Sequence, residues 1–445
     1  MKTYTYHKWR IWTILTFSFV MALFHRSAIG AISQDLTLSL ELTASELSAL
    51  VSITFYTYAL MQIPAGILLD LFGYKKISAL GMLVTGLGSV LFSFSTHFIV
   101  ACVSRFLIGM GTSVIFISIL KMQHLWFTQS DFTKASGLLS FVGNMGGVIA
   151  TFPLALLAIL MGWRSAMFLM GGICICLGCI IFLRVKNTPR DYGFSLPNST
   201  PLKENSHTVQ DKAISVDKKE SVSPIPQISV RTIFTNLMTL LRHRGVWRNF
   251  FVLFTITGCT TTLTGLWGIN YLINVYGLSN AEASFYVAFM IYGFVCGSLA
   301  VNPIARLFKN NLIIYPRIAC VGMLVCWTYI LFVAKGTPPL EVLALLLFIL
   351  GFLAMSHILA FTDVTTYCEP HTSGLASSLV NSGEFLGSSI ISLLIGLILD
   401  FTWSGTLIDG VRVYEPSAYI LAFSLFIIVP AIGLLTSFLE QKSKP

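Results

Sequence analysis

Twelve apolar stretches, each long enough to cross a bilayer, recur along this chain and leave little room for any fold but a membrane one. A helix needs about 20 mostly apolar residues to span roughly 30 Å of hydrocarbon. The stretches run 11–32, 47–69, 77–95, 98–120, 135–160 and 164–184 in the first half, then 249–272, 283–306, 312–334, 340–362, 373–399 and 417–438 in the second. Membrane β-barrels read instead as segments of about ten alternating residues. The expectation is an all-α membrane protein: twelve transmembrane helices in two pseudo-symmetric six-helix bundles.

Charge placement supports this reading and excludes nucleic acid as the reason for the net charge of +9. With both termini in the cytoplasm, 23 of the 28 Lys and Arg fall in cytoplasmic segments, including Lys2, Lys8 and Arg10, Lys75 and Lys76, and the cluster between spans 6 and 7. Lys and Arg concentrate on the cytoplasmic side of membrane proteins, so the asymmetry predicts a multi-pass protein of a bacterial-type plasma membrane. The basic start, apolar run and small residues near Ala28 to Ala31 also sketch a signal peptide. Arg26 interrupts that pattern, and eleven further spans need a matching first one, so span 1 is expected to stay. Cys174, Cys176 and Cys179 have metal-like spacing but lack His or acidic neighbours, and no metal or other cofactor is expected.

Residues 187–227 are rich in Pro, Ser, Asn, Lys and Glu and read as a linker. The domain reading is a bundle at 1–186, a cytoplasmic linker at 187–245 and a second bundle at 246–445. Within the linker, Ile233, Leu237, Leu240 and Leu241 recur at helical spacing, with Arg231, Arg242 and Arg244 among them. This predicts either a helix lying on the membrane surface or a plain extension of span 7. An internal repeat joins the halves. Shifting the chain by 237 residues lays Ser136, Gly137, Leu138, Ser140, Asn144 and Gly146 onto Ser373, Gly374, Leu375, Ser377, Asn381 and Gly383, which makes spans 5 and 11 counterparts.

The loop after span 2 reads GILLDLFGYKK. Here Gly66 is expected to allow close helix approach, Gly73 a tight turn, Asp70 a contact with a helix N-terminus or a basic partner, and Lys75 with Lys76 a cytoplasmic anchor. It resembles the G-x-L-x-D-R-x-G-R-K signature of the major facilitator superfamily, with Leu71 in place of the Arg. Arg105, Gly109 and Gly111 in RFLIGMG resemble that family's second signature, and Gly162, Trp163 and Arg164 another element. After span 8, Arg306 and Lys309 remain while Ala305 replaces the expected Asp. The segments FHRSAIGAISQDL, YTYALMQIPAGILLD and GLWGINYLINVYGLS are similar to a bacterial subgroup near the organic-anion, nitrate and phosphate-ester transporters. Gly111, Thr112 and Ser113 stand where many acid-sugar symporters carry a Glu. The resemblance implies a central cavity lined by spans 1, 4, 7 and 10.

An ionised group within a span costs at least about 2.5 kcal/mol, so it must face a wet cavity or a partner. Arg26 is the leading substrate contact, because a guanidinium stays charged and grips an anion with two hydrogen bonds; a structural ion pair is the alternative. Glu384, at the repeat position of Gly147, is the proposed proton-coupling acid, with pairing to a basic residue as its rival. His25, some 100° around the helix from Arg26, and Arg105 complete the coupling set, although His25 also suits helix packing. Trp267, Asn270 and Tyr271 are further candidate substrate or gate contacts, and Asn144 and Asn381 either touch the substrate or pack spans 5 and 11 against the cavity helices, while most of the Thr260 to Thr264 hydroxyls can serve their own helix. Gly66, Asp70, Gly73, Lys75 and Asp363, which follows His357 by six residues, form the gating set.

Together these readings predict a secondary active transporter of a small organic anion, working as a monomer by alternating access and taking up its solute with protons. Proton-coupled export is the transport alternative, and a non-transporting receptor is the alternative of a different class. No nucleotide-cradling or hydrolytic site is present in the sequence.

Overall fold

The computed structural model describes residues 2–194, 230–308, 311–368, 372–408 and 411–439. Twelve helices long and apolar enough to cross a membrane occupy these residues. The first six are α1 (Tyr4–Ala31), α2 (Ala44–Leu69), α3 (Leu71–Ser93), α4 (Phe98–Trp126), α5 (Lys134–Met161) and α6 (Trp163–Arg184). The second six are α7 (Arg244–Tyr276), α8 (Asn280–Val301), α9 (Ile314–Val333), α10 (Leu340–Val364), α11 (Leu375–Phe401) and α12 (Pro416–Thr436).

Local chemistry marks the helix boundaries. Thr43 and Ser279 open α2 and α8 with reciprocal capping boxes to Glu46 and Glu282, satisfying donors that the first helical turn leaves free. Gly73, in the first turn of α3, breaks the helical backbone at φ +76°, a conformation that L side chains resist. The segment Val230–Leu241 is a helix of its own: His243 adopts extended backbone and its ring accepts a hydrogen bond from Gly245 N at 3.2 Å, so α7 starts afresh rather than extending back. Cys174 is buried while Cys176 and Cys179 are exposed, so the three thiols do not converge.

The repeat seen in the sequence reappears as packing. A Cβ on Gly146 of α5 would sit 2.1 Å from the Val20 carbonyl oxygen of α1, and a Cβ on Gly383 of α11 would sit 2.4 Å from the Phe250 carbonyl oxygen of α7. Two residues matched by the 237-residue shift therefore make the same helix-against-helix contact in each half. Close approach of small residues is how helices associate where lipid supplies no hydrophobic drive.

The halves meet most closely at the end of the bundle away from the chain termini, called the far end below. Ser52 and Ser389 exchange hydroxyl-to-carbonyl hydrogen bonds at 3.0 and 3.3 Å, and Ser48 donates to the Ser392 carbonyl at 2.9 Å. Further out, Asp400 accepts from the backbone N–H groups of Ala44 and Ser45 at 3.1 and 2.8 Å, so a carboxylate of the second half caps α2 of the first. Asn280 also donates to the Ala31 carbonyl. Together with a hydrogen bond between Ser33 and Asn270, these contacts make up a far-end seal between the halves.

Candidate functional site

Where the seal ends, toward the middle of the helices, Arg26 of α1 forms an ion pair with Glu384 of α11. Their side chains are 20% and 13% exposed, so they border open space instead of being locked into dry packing. The guanidinium also lies over two aromatic faces, 4.9 Å from the Phe385 ring centre and 5.4 Å from that of Phe55. Tyr58 stacks on Phe385 at 4.0 Å. A flat cation is thus held by a carboxylate on one side and π-faces on the others, an arrangement that favours Arg over Lys. The spacing of α2 explains the cage: Phe55 and Tyr58 are three residues apart and share a helix face.

The expected substrate set divides into two places. Asn381 lies on α11 three residues before Glu384, on the same face, and is half-buried. Trp267 and Asn270 stand in the far-end seal instead. The indole N–H of Trp267 donates to Ser392 O at 3.1 Å, and Asn270 Oδ1 accepts from the Ser33 hydroxyl of the first half at 3.1 Å. Ser392 is eight residues beyond Glu384, about 12 Å along the helix. Both residues line a far-end cavity of about 370 Å³ with Asn274, Arg412 and Tyr414. Tyr271 is packed inside the second half, its hydroxyl donating to Gly336 O at 2.5 Å among Tyr276, Tyr419 and Phe423. The side chain of Asn144 lies outside the described residues.

The coupling set divides as well. Arg105 is fully buried and binds two backbone carbonyls, Leu50 O at 3.1 Å and His25 O at 3.0 Å. His25 is equally buried, its Nε2 3.5 Å from Cys174 Sγ of α6. The described partners of both are in the first half, so only Glu384 of that set stands beside Arg26. Two neighbours on one helix separate because the 100° turn sends Arg26 to the interface and His25 into its own bundle.

The gating set is mixed. Gly73 turns as expected and is covered by Asn187, whose Oδ1 accepts from Lys75 N at 2.9 Å; the Lys75 ammonium lies 5.3 Å from the Phe182 ring centre. Gly66 corrects the expectation of close helix approach, since a Cβ there would meet no described atom within 4 Å. Asp363 pairs with Arg248 and accepts from Asn249 Nδ2 at 2.7 Å, joining α10 to α7 within the second half. The Asp70 side chain and Lys309 lie outside the described residues. Of the Thr run on α7, Thr260 and Thr264 bond carbonyls of their own helix, and Thr262 reaches Ser388 O at 3.2 Å.

Sequence reasoning missed Phe55, Tyr58 and Phe385. The available signal was an aromatic pair three residues apart and a Phe beside the one candidate acid of span 11, but aromatic residues are common in apolar spans.

The sequence model of the Major Facilitator Superfamily matches residues 14–392. The chain belongs to this superfamily. The uncharacterized transporter YybO of Bacillus subtilis is 25% identical over 407 residues, covering 90% of this chain and 89% of that one. A probable hexose phosphate transport protein of Chlamydia trachomatis is 20% identical, covering 91% and 88%. The crystal structure of the nucleoside transporter NupG superposes with a TM-score of 0.72 at 11% identity, covering 96% and 99%, a likeness of fold alone. This superfamily member is a multi-pass membrane protein of a transporter family, not an enzyme.

Proposed function

We propose that the chain is a secondary active transporter that takes up a small organic anion together with protons, by alternating access, in a bacterial plasma membrane with both termini inside. The observation that supports this reading best is the Arg26–Glu384 pair, one residue from each half, at the inner edge of the far-end seal. Glu384 occupies the guanidinium that a solute's anionic group needs. A proton on Glu384 removes its charge and frees Arg26, and the entering anion replaces the carboxylate. Losing either partner of a buried pair costs about 3–5 kcal/mol, less here because both side chains keep some exposure. Proton and anion therefore favour one another, which is the requirement for coupling. Asn381 adds a neutral hydrogen-bonding group on the Glu384 face.

The test is uptake into proteoliposomes under an imposed pH gradient, across carboxylates, sugar acids and phosphate esters. Accumulation that collapses with the gradient supports the reading. Accumulation driven in the opposite direction indicates export, and binding without any flux indicates a receptor.

A further inference from the structure

We propose that the far-end cavity is a binding site for a small polyhydroxylated anion, a sugar acid or sugar phosphate, and that its occupant holds the far end closed. The cavity includes neither Arg26 nor Glu384, so the site stands apart from the function read from that pair.

The cavity measures about 370 Å³, enough for a small molecule. Its walls come from both halves. Gln34 and Thr37, three residues apart on one face of the helix Ser33–Leu40, belong to the first half, and Asn270 and Arg412 to the second. The strand Val411–Arg412 lies beside that helix. Leu38 and Ile408, both lining residues, are exposed, so the cavity opens to the surface at the far end.

Among the described residues, Arg412 is the sole charged group lining the cavity. Its guanidinium lies 4.2 Å from the Trp403 ring centre, and its Nη1 reaches Asp400 Oδ1 at 3.4 Å. Asp400 is bound more closely by other donors: Tyr414 Oη at 2.9 Å and the N–H groups of Ala44 and Ser45 at 3.1 and 2.8 Å. The α2 N-terminus thus satisfies the acid. Arg412 keeps Nε and Nη2, the edge that grips a carboxylate or phosphate with two hydrogen bonds.

Neutral groups suited to hydroxyls stand around this cation. Among the described residues nothing engages the Gln34 amide or the Thr37 hydroxyl. Buried Asn270 gives one Nδ2 hydrogen to Leu266 O and keeps the other. A ligand that touches both walls loses part of its contacts when the halves separate. It therefore favours the closed far end by a factor of one plus its concentration over its dissociation constant.

The experiment uses the full chain in nanodiscs with Ser48→Cys, a position buried in the seal. Alkylation of that thiol is followed by peptide mass spectrometry, which separates it from the native cysteines. D-Gluconate, glucose 6-phosphate and glucose are the probes. At about ten times its dissociation constant, either anion should slow labelling about tenfold, and glucose should not. Arg412→Gln should weaken anion binding at least about tenfold. Gln34→Leu, in the opposite wall, should weaken it too and carries the test if Arg412→Gln fails to fold. Slowing that persists in Arg26→Gln supports the far-end site. Slowing that is lost in Arg26→Gln and kept in both cavity variants assigns the effect to the ion pair and overturns the proposal. No slowing by either anion, or equal slowing by glucose, overturns it while leaving the transport reading intact.

Discussion

Arg26 and Glu384 form the ion pair that joins the two halves among the described residues, and it sits where the far-end seal stops. The serine contacts beyond it are neutral and short-ranged. A charge change at this pair therefore acts on the joint between the halves as well as on the solute.

Glu384→Gln keeps the shape of the acid and removes its titration. Solute exchange across proteoliposomes should persist, while accumulation driven by a pH gradient should fall to background. Normal accumulation would remove Glu384 from the coupling step.

Arg26→Lys preserves charge but not the flat guanidinium over Phe55 and Phe385. Loss of the two-pronged contact and part of the π-stacking, about 1–3 kcal/mol together, predicts a fall in affinity of roughly 5- to 150-fold. Equilibrium binding measures this, and unaltered affinity places the solute elsewhere.

Asp400→Asn weakens a cap that crosses between the halves. Losing a charged N-terminal cap costs about 0.5–2 kcal/mol, enough to raise the population opened at the far end by roughly 2- to 30-fold. Thiol labelling of a Ser48→Cys variant from that side should accelerate in the Asp400→Asn background; an unchanged rate shows that the serine contacts alone hold the seal.

Gly146→Ala and Gly383→Ala place a methyl group 2.1 and 2.4 Å from a carbonyl oxygen of the neighbouring helix. Both should lower thermal stability by a similar amount, because the same contact is broken in each half. A large effect in one half alone shows that the repeat no longer carries equal strain.

Asp131, just before α5, hydrogen-bonds Lys8 at 3.1 Å, and that ammonium holds its carboxyl below the ordinary value of 3.8. A depressed carboxyl contributes stability above its unfolded value and loses it as pH falls through its folded value. Acid below about pH 4 should therefore loosen α1 from α5, read as faster proteolysis near Thr128. Asp131→Asn should show that susceptibility already at pH 7.

Hydropathy alone determined the helix count, because a backbone in lipid must satisfy its own hydrogen bonds and only sufficiently long apolar runs can do so. The 237-residue repeat likewise announced that spans 5 and 11 are counterparts, since small residues at matched positions set matched helix approaches. Tertiary structure alone decided which charged and polar groups meet. His25 and Arg26 are adjacent in sequence yet belong to different environments, and Trp267 and Asn270, read with Arg26 as contacts for the solute, stand in the far-end seal. Phe55, Tyr58 and Phe385 became a cage only when α2 and α11 were brought together. Apolar periodicity states that a helix crosses; which face meets which partner depends on packing between segments hundreds of residues apart, and no local pattern encodes that.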